Sequence, residues 1–218
     1  MTHVESVPVP ELSAQRNLVY RALSRSFDIL ASSAGLLMLA PLLLGVALAI
    51  KLTSKGPVLF RQNRYGMNNE LFEILKFRTM YTDIQDVSGR QQTLKDDPRV
   101  TSVGRYLRKL SFDELPQLIN ILRGDMSVVG PRPHVPGMIA AGVDYEDFDR
   151  RYLDRHAVRP GLTGLAQIKG YRGATDTPHA AKMRLEYDLE YIRTRTIGMD
   201  LKIVFITFWK EFFLGDAY

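Results

Sequence analysis

Asp113 and Glu114 are adjacent carboxylates in a stretch otherwise crowded with cations: Arg105, Arg108 and Lys109 precede them, and Arg123 and Arg132 follow. Two acids among many bases can hold a divalent cation and a phosphate group together, because the acids offer hard oxygen ligands and the bases neutralise phosphate oxygens. At a helix start, the dipole would favour the ionised acids and stabilise other anions nearby. A purely structural role competes for Asp113: as an N-cap it would place Pro116 at the third helical position, within the tolerated first turn. Gly130-Pro131-Arg132-Pro133 is stiff on both sides of its arginine, which suits presentation of a guanidinium fork to a phosphate or a base edge. The alternative there is a rigid loop carrying a solvated arginine. Arg159-Pro160-Gly161-Leu162-Thr163-Gly164 is a second turn-rich basic segment whose glycines permit close backbone approach to a ligand.

Other chemistries lack support. The chain has no cysteine, which excludes a disulfide framework, Cys-ligated metal sites and thiol catalysis. His3, His134, His156 and His179 show no metal-ligand spacing. There is no Walker A sequence, GxSxG elbow or GxGxxG.

The elements that must position these residues follow from hydrophobic spacing. Val103, Tyr106, Leu107 and Leu110 recur at helical intervals opposite Arg105, Arg108 and Lys109, giving an amphipathic helix with a basic face. Leu115, Leu118, Ile119 and Leu122 form a second stripe, which Gly124 ends. Upstream, Val58-Leu59-Phe60 and residues 72–78 read as a β-hairpin around the turn at 65–69. Residues 82–98 are polar and weakly periodic, a loop of the kind that often covers a site. A charged helix over 184–195 carries Tyr187 and Tyr191 as a packing stripe. From Met199 to Leu214 aromatics and lysines surround a short apolar helix, suited to the bilayer surface or, alternatively, to a buried core.

Ile29 to Ile50 contains no ionisable side chain and is long enough as a helix to cross about 30 Å of hydrocarbon. Arg16, Arg21 and Arg25 precede it and Lys51, Lys55, Arg61 and Arg64 follow, so both ends read as cytoplasmic. Pro41 removes one amide donor near the middle and favours a kink. A bent hairpin entering and leaving on one face satisfies both observations; a tilted span with a tolerated proline is the alternative. Ser32, Ser33 and buried protein surface are the available partners for backbone groups freed at membrane depth. With 218 residues, 45% of them hydrophobic, a net charge of +5 and a pI near 9.4, the remainder reads as one packed domain attracted to polyanions.

Five segments, in order, closely resemble the bacterial sugar transferases, monotopic polyprenol-phosphate phosphoglycosyl transferases of the exopolysaccharide-initiating type. They are Lys76-Phe-Arg-Thr-Met80, Asp97-Pro-Arg-Val-Thr101, Asp113-Glu-Leu-Pro-Gln-Leu118, Gly124 to Pro133, and Arg159 to Gly164. The resemblance runs from about Arg25 to the C-terminus. It implies a re-entrant helix broken at a Ser-Pro pair; this chain keeps Pro41 but has Ala40 in place of the serine.

The resemblance further implies that Asp113 is the nucleophile and Glu114 its partner, with Mg²⁺ held by the pair. Asp113 would attack a UDP-sugar, release UMP and pass the phosphosugar to undecaprenyl phosphate. An acid approaching a diphosphate needs its repulsion neutralised, and Lys76, Arg78, Arg105, Arg108, Pro131, Arg132 and Arg159 are the expected substrate-binding residues. Segments 169–173 and 175–177 look like those of members handling UDP-glucose or UDP-galactose. The expected fold is α+β, mostly helical with a small β-hairpin, a re-entrant membrane helix and amphipathic interfacial helices. The expected division is a polar tail (1–24), the membrane helix (25–54) and a cytosolic, membrane-apposed catalytic domain (55–218), at the bacterial inner membrane. Expected partners are the UDP-sugar, polyprenyl phosphate and membrane lipids, not nucleic acid; the sequence does not determine the oligomeric state. The competing functional reading is a noncatalytic scaffold of a polysaccharide export complex.

Overall fold

A long apolar sequence with good helix formers makes one helix, α1 (Leu18–Thr53), that stays helical through Pro41. The computed structural model describes residues 18–84 and 97–211. Most of the predicted polar tail, the bulk of the expected loop over 82–98, and Phe212 to Leu214 lie outside the described residues. Along α1 the apolar middle is turned outward: Leu37 and Met38 are each 79% exposed and Leu44 is 72% exposed. Ser32 is buried, yet its hydroxyl makes no hydrogen bond among the described residues, so it does not relieve the proline break as expected.

Both ends of α1 are fastened to the same body. Near its start, Arg25 donates to the carbonyl oxygens of Ile121 and Leu122 at 2.6 and 2.7 Å. Asp28 accepts from the Ser127 hydroxyl and the Val128 amide at 2.9 and 2.8 Å. Near its end, Val46 and Ile50 pack with Phe77 and Leu107 in a small apolar cluster.

The predicted hairpin forms from β1 (Leu59–Tyr65) and β2 (Leu71–Phe77), antiparallel with Leu59 opposite Phe77 and Tyr65 opposite Leu71. Asn68 and Asn69 take positive φ in the turn, a conformation asparagine tolerates. Next comes α2 (Ser102–Lys109), with Thr101 as N-cap accepting from the Gly104 amide. Its apolar stripe divides: Leu107 is buried, but Tyr106 and Leu110 are 70% and 53% exposed.

Helix α3 (Gln117–Arg123) ends, as expected, at Gly124 in the left-handed conformation. β3 (Ser127–Val129) runs parallel to β6 (Gly161–Thr163), and the short pair β4 (Ile139–Ala140) and β5 (Val143–Asp144) is antiparallel. Short helices α4 (Tyr145–Phe148) and α5 (Leu165–Ile168) lead to α6 (Pro178–Thr194) and α7 (Ile197–Trp209). The main core joins Val129, Tyr145, Tyr152, Leu185, Leu189 and Ile203. Tyr191 is buried as predicted, donating to Asp200 at 2.8 Å. Only one side of α7 is buried; Leu201, Phe205, Phe208 and Trp209 are exposed, which is not the pattern of a core helix. The α+β architecture is therefore as predicted.

Candidate active site

The site grows from three backbone decisions. β2 carries Lys76 beside α3, because the buried Asn120 side chain bonds the Leu75 amide and the Glu73 carbonyl and so fixes helix against strand. After α2, Ser111 adopts the left-handed conformation (φ 54°), which turns the chain into a 3₁₀ turn over Phe112–Glu114. The third is the turn that follows β3: the Gly161 amide donates to the Pro131 carbonyl at 2.9 Å, anchoring the segment that presents Arg132.

Asp113 is consequently not the N-cap of α3. That helix starts four residues later, with Pro116 at the cap position and no side-chain cap. The left-handed Ser111 separates the acids from α2, Leu115 and Pro116 separate them from α3, and both acids are buried, Asp113 at 8% and Glu114 at 6% exposed.

Glu114 is held by three cations. Lys76 Nζ lies 2.9 Å from Oε1, the Arg132 fork reaches Oε1 at 2.5 Å and Oε2 at 3.2 Å, and Arg172 lies 3.6 Å from Oε2. Burial alone would raise the Glu114 carboxyl, but Arg132 and Lys76 hold it well below the usual range. Asp113 behaves oppositely. Burial pushes its carboxyl up, Glu114 adds to that, and Lys76 and Arg108 oppose it. No hydrogen bond reaches the Asp113 carboxylate among the described residues, so of the two acids it is the one with uncommitted oxygens. Arg108 is held close by donating to Thr79 at 2.9 Å.

The structure thus gathers Lys76, Arg108 and Arg132 around the pair. It does not bring the other expected cations there. Arg105 lies exposed on α2. Arg78 is buried and spends its guanidinium on the Ser54 hydroxyl and the Ser54 and Lys55 carbonyls, tying the end of α1 to the hairpin. Arg159 donates to the Gly124 carbonyl at 2.8 Å, at the far end of α3. The glycines of the 159–164 turn meet the Gly130 backbone. A Cβ on Gly161 would come 2.1 Å from the Gly130 amide nitrogen, and one on Gly164 would come 2.2 Å from the Gly130 carbonyl. These backbones approach each other, not a ligand.

Sequence reading missed three contributors. Arg172 bonds Ser111 at 3.0 Å and pairs with Glu211 as well as Glu114; its only sequence signal is the likeness of segment 169–173 to family members handling UDP-glucose or UDP-galactose. Arg64 is half-buried, donating to Gln62 and the Pro133 carbonyl, and desolvation with neighbouring Arg132 lowers it to about 10. Arg155 is enclosed with Asp188 and supports the Arg132 backbone. Nothing in the sequence separates such long-range partners from solvated charges.

Among the described residues no group of three His, Cys, Asp or Glu side chains is poised for a metal. A hard divalent ion can be bound through one or two carboxylates completed by substrate phosphates; Asp113 has oxygens open for that, whereas both Glu114 oxygens are paired with Lys76, Arg132 and Arg172.

A family model described as bacterial sugar transferase matches residues 19–213. The exopolysaccharide production protein PSS of Rhizobium leguminosarum bv. phaseoli is 53% identical over 196 residues, 90% of this chain and 98% of that protein. The undecaprenyl-phosphate glucose phosphotransferase of Komagataeibacter xylinus is 53% identical over 194 residues, 89% of this chain and 36% of that protein. The UDP-glucose:undecaprenyl-phosphate glucose-1-phosphate transferase of Escherichia coli (strain K12) is 46% identical over 219 residues, 100% of this chain and 46% of that protein. The chain therefore spans nearly all of the first relative and less than half of the other two. By the extent of these matches, the chain belongs to the bacterial sugar transferase family.

Proposed function

We propose that the protein is a phosphoglycosyl transferase that moves a hexose 1-phosphate, glucose 1-phosphate by preference, from a UDP-sugar to undecaprenyl phosphate in exopolysaccharide assembly. The observation that carries this reading is the unequal environment of the two acids: Glu114 is locked by Lys76 and Arg132, while Asp113 beside it keeps its oxygens uncommitted. The names of the relatives from K. xylinus and E. coli supply the substrates.

In the first step an Asp113 oxygen attacks the sugar-linked β-phosphorus. An oxygen–phosphorus bond forms, the bond to the bridging oxygen breaks, and that oxygen leaves with UMP. In the second, a phosphate oxygen of undecaprenyl phosphate attacks the same phosphorus and displaces the Asp113 carboxylate, giving an undecaprenyl diphosphosugar. Lys76, Arg108, Arg132 and Arg172 neutralise the diphosphate, allowing the carboxylate to approach. Mg²⁺ on Asp113, Glu114 and the diphosphate would add to that neutralisation when bound.

We place α1 in the cytoplasmic leaflet of the inner membrane, entering and leaving by the same face, with residues 55–218 as the membrane-apposed catalytic domain. The attachments of Arg25 and Asp28 at one end and Ile50 at the other to a single body support this, because a straight span would carry one attachment through the bilayer. The experiment is UMP release by protein in detergent supplied with Mg²⁺, UDP-glucose and undecaprenyl phosphate. Asp113→Asn should abolish release, and mass spectrometry of the unmodified enzyme quenched during turnover should find the phosphosugar on Asp113. Full activity of Asp113→Asn would overturn the covalent route.

A further inference from the structure

A second basic site lies away from the acids. Arg21, Arg25 and Asp28 occupy successive turns of α1 just before its apolar stretch begins at Ile29. Together with Arg159 and Arg195 they line a cavity of about 240 Å³, also bordered by Asn68 of the hairpin turn. Arg195 stacks its guanidinium 5.2 Å from the centre of the Tyr20 ring. Arg25 and Arg159 both reach the end of α3, the former through the Ile121 and Leu122 carbonyls, the latter through the Gly124 carbonyl.

Four guanidinium groups line the cavity against one carboxylate, Asp28, whose charge acts on both Arg25 and Arg159. Arg21, Arg25 and Arg159 form no ion pair among the described residues. Asp28, the carboxylate in the cavity wall, directs Oδ1 to the Ser127 hydroxyl and the Val128 amide. Burial, followed by the neighbouring charge of Arg25, lowers the Arg159 guanidinium. A half-enclosed cavity with surplus guanidinium groups is relieved by an anion, and their planar forks suit tetrahedral phosphate oxygens.

Two observations define the anion. The cavity is smaller than the roughly 300–1,000 Å³ typical of sites for drug-sized ligands, so it suits a phosphate with its ester carbons and not a whole UDP-sugar. It also sits at the opposite end of α3 from Asp113, and seven helical residues at about 1.5 Å each separate the two by about 10 Å. One phosphate cannot serve both places.

We propose that the cavity between α1 and the β3–β6 region is a second phosphate-binding site, taking the phosphate of an anionic lipid head group or of a soluble phosphate ester. Its level, where α1 turns from charged to apolar, favours the lipid. The proposal does not depend on the transfer reaction assigned above.

The test uses the full chain in nanodiscs of equal parts phosphatidylglycerol and phosphatidylcholine, released for native mass spectrometry. In parallel, detergent-solubilised protein is titrated with inorganic phosphate by calorimetry. Retention of one phosphatidylglycerol per chain, lost in Arg21→Gln/Arg159→Gln and kept in the exposed-lysine control Lys182→Gln, identifies a lipid site. A phosphate stoichiometry that falls by one in the double variant without lipid retention identifies a soluble ester. Arg21→Gln alone, on the exposed side of α1, should weaken whichever ligand binds by about tenfold, the scale of one charge-assisted hydrogen bond. It serves as the deciding variant if the double substitution fails to fold. Lipid retention and phosphate binding equal in the wild type and the folded arginine variants would overturn the proposal.

Discussion

Asp188 and Arg132 are joined through one nitrogen. A terminal nitrogen of Arg155 lies 2.7 Å from the Asp188 carboxylate and donates to the Arg132 carbonyl at 2.8 Å. The chain of contacts therefore runs from α6, through a buried ion pair, to the backbone of the residue whose fork clasps Glu114. Asp188 and Arg155 are 2% exposed, so this support is internal to the domain. It makes the position of Arg132 a property of the core and not of a surface loop.

Breaking that support should show first in stability. Arg155→Met leaves Asp188 as an uncompensated buried carboxylate, and loss of one member of a buried pair costs about 3–5 kcal/mol. Denaturant unfolding in detergent should register it, with UMP release falling in the fraction that remains folded. An unchanged midpoint would mean that the pair carries no net stability.

Arg132→Lys tests the fork itself. The substitution keeps the charge but loses the two-pronged contact with both Glu114 oxygens. Losing a charged hydrogen bond corresponds to about a 10- to 100-fold fall in kcat/KM, with little change in the unfolding midpoint. Activity equal to that of the unmodified enzyme would reduce Arg132 to a simple source of charge.

The pH profile separates the two acids. In the proposed reaction attack requires ionised Asp113, so activity should be present above its pKa and lost as pH falls through it. Burial places that acidic limb above the ordinary aspartate range. Lys76 is the strongest influence pulling it down, so Lys76→Met should move the limb of kcat/KM to higher pH while lowering the plateau. Glu114, held low by Arg132 and Lys76, stays ionised throughout that window. A limb that stays in place or moves to lower pH in Lys76→Met would detach it from Asp113.

Gly130→Ala should destabilise without touching a charge. Its Cβ would come 2.5 Å from the Arg159 carbonyl oxygen and 2.9 Å from the Gly161 nitrogen, both backbone atoms that cannot rotate away. Overpacking costs typically about 1–3 kcal/mol, and here it would part β3 from β6. Thermal unfolding should drop by several degrees, and Gly142→Ala, with nothing within 4 Å but a positive φ of 88°, offers a comparison in which backbone strain acts alone.

Local chemistry carried much of this into the sequence. The hairpin, the helix after Thr101, its neighbour ending at Gly124 and the buried Tyr191 all rest on patterns within about twenty residues. The features that the structure places differently depended on distant partners. A capping role for Asp113 stayed open beside the catalytic one because nothing local reveals that Ser111 turns left-handed. Arg78 and Arg159 read as ligand cations because the carbonyls they satisfy belong to α1 and to Gly124. The paired glycines of the two basic turns are legible only once β3 and β6 lie side by side. Conversely, Arg172 entered the site from 58 positions beyond Glu114 with only a family-like segment to mark it.

On the proposed membrane placement, fastening α1 at both Asp28 and Ile50 ties anchor and catalytic domain together. The depth of the keel and the altitude of Asp113 then cannot vary independently, as they could for a catalytic head swinging on a tether. A long-chain acceptor has to present its phosphate at one fixed height. Bilayer thickness should therefore govern the second half-reaction and leave the first, which draws its donor from water, unaffected.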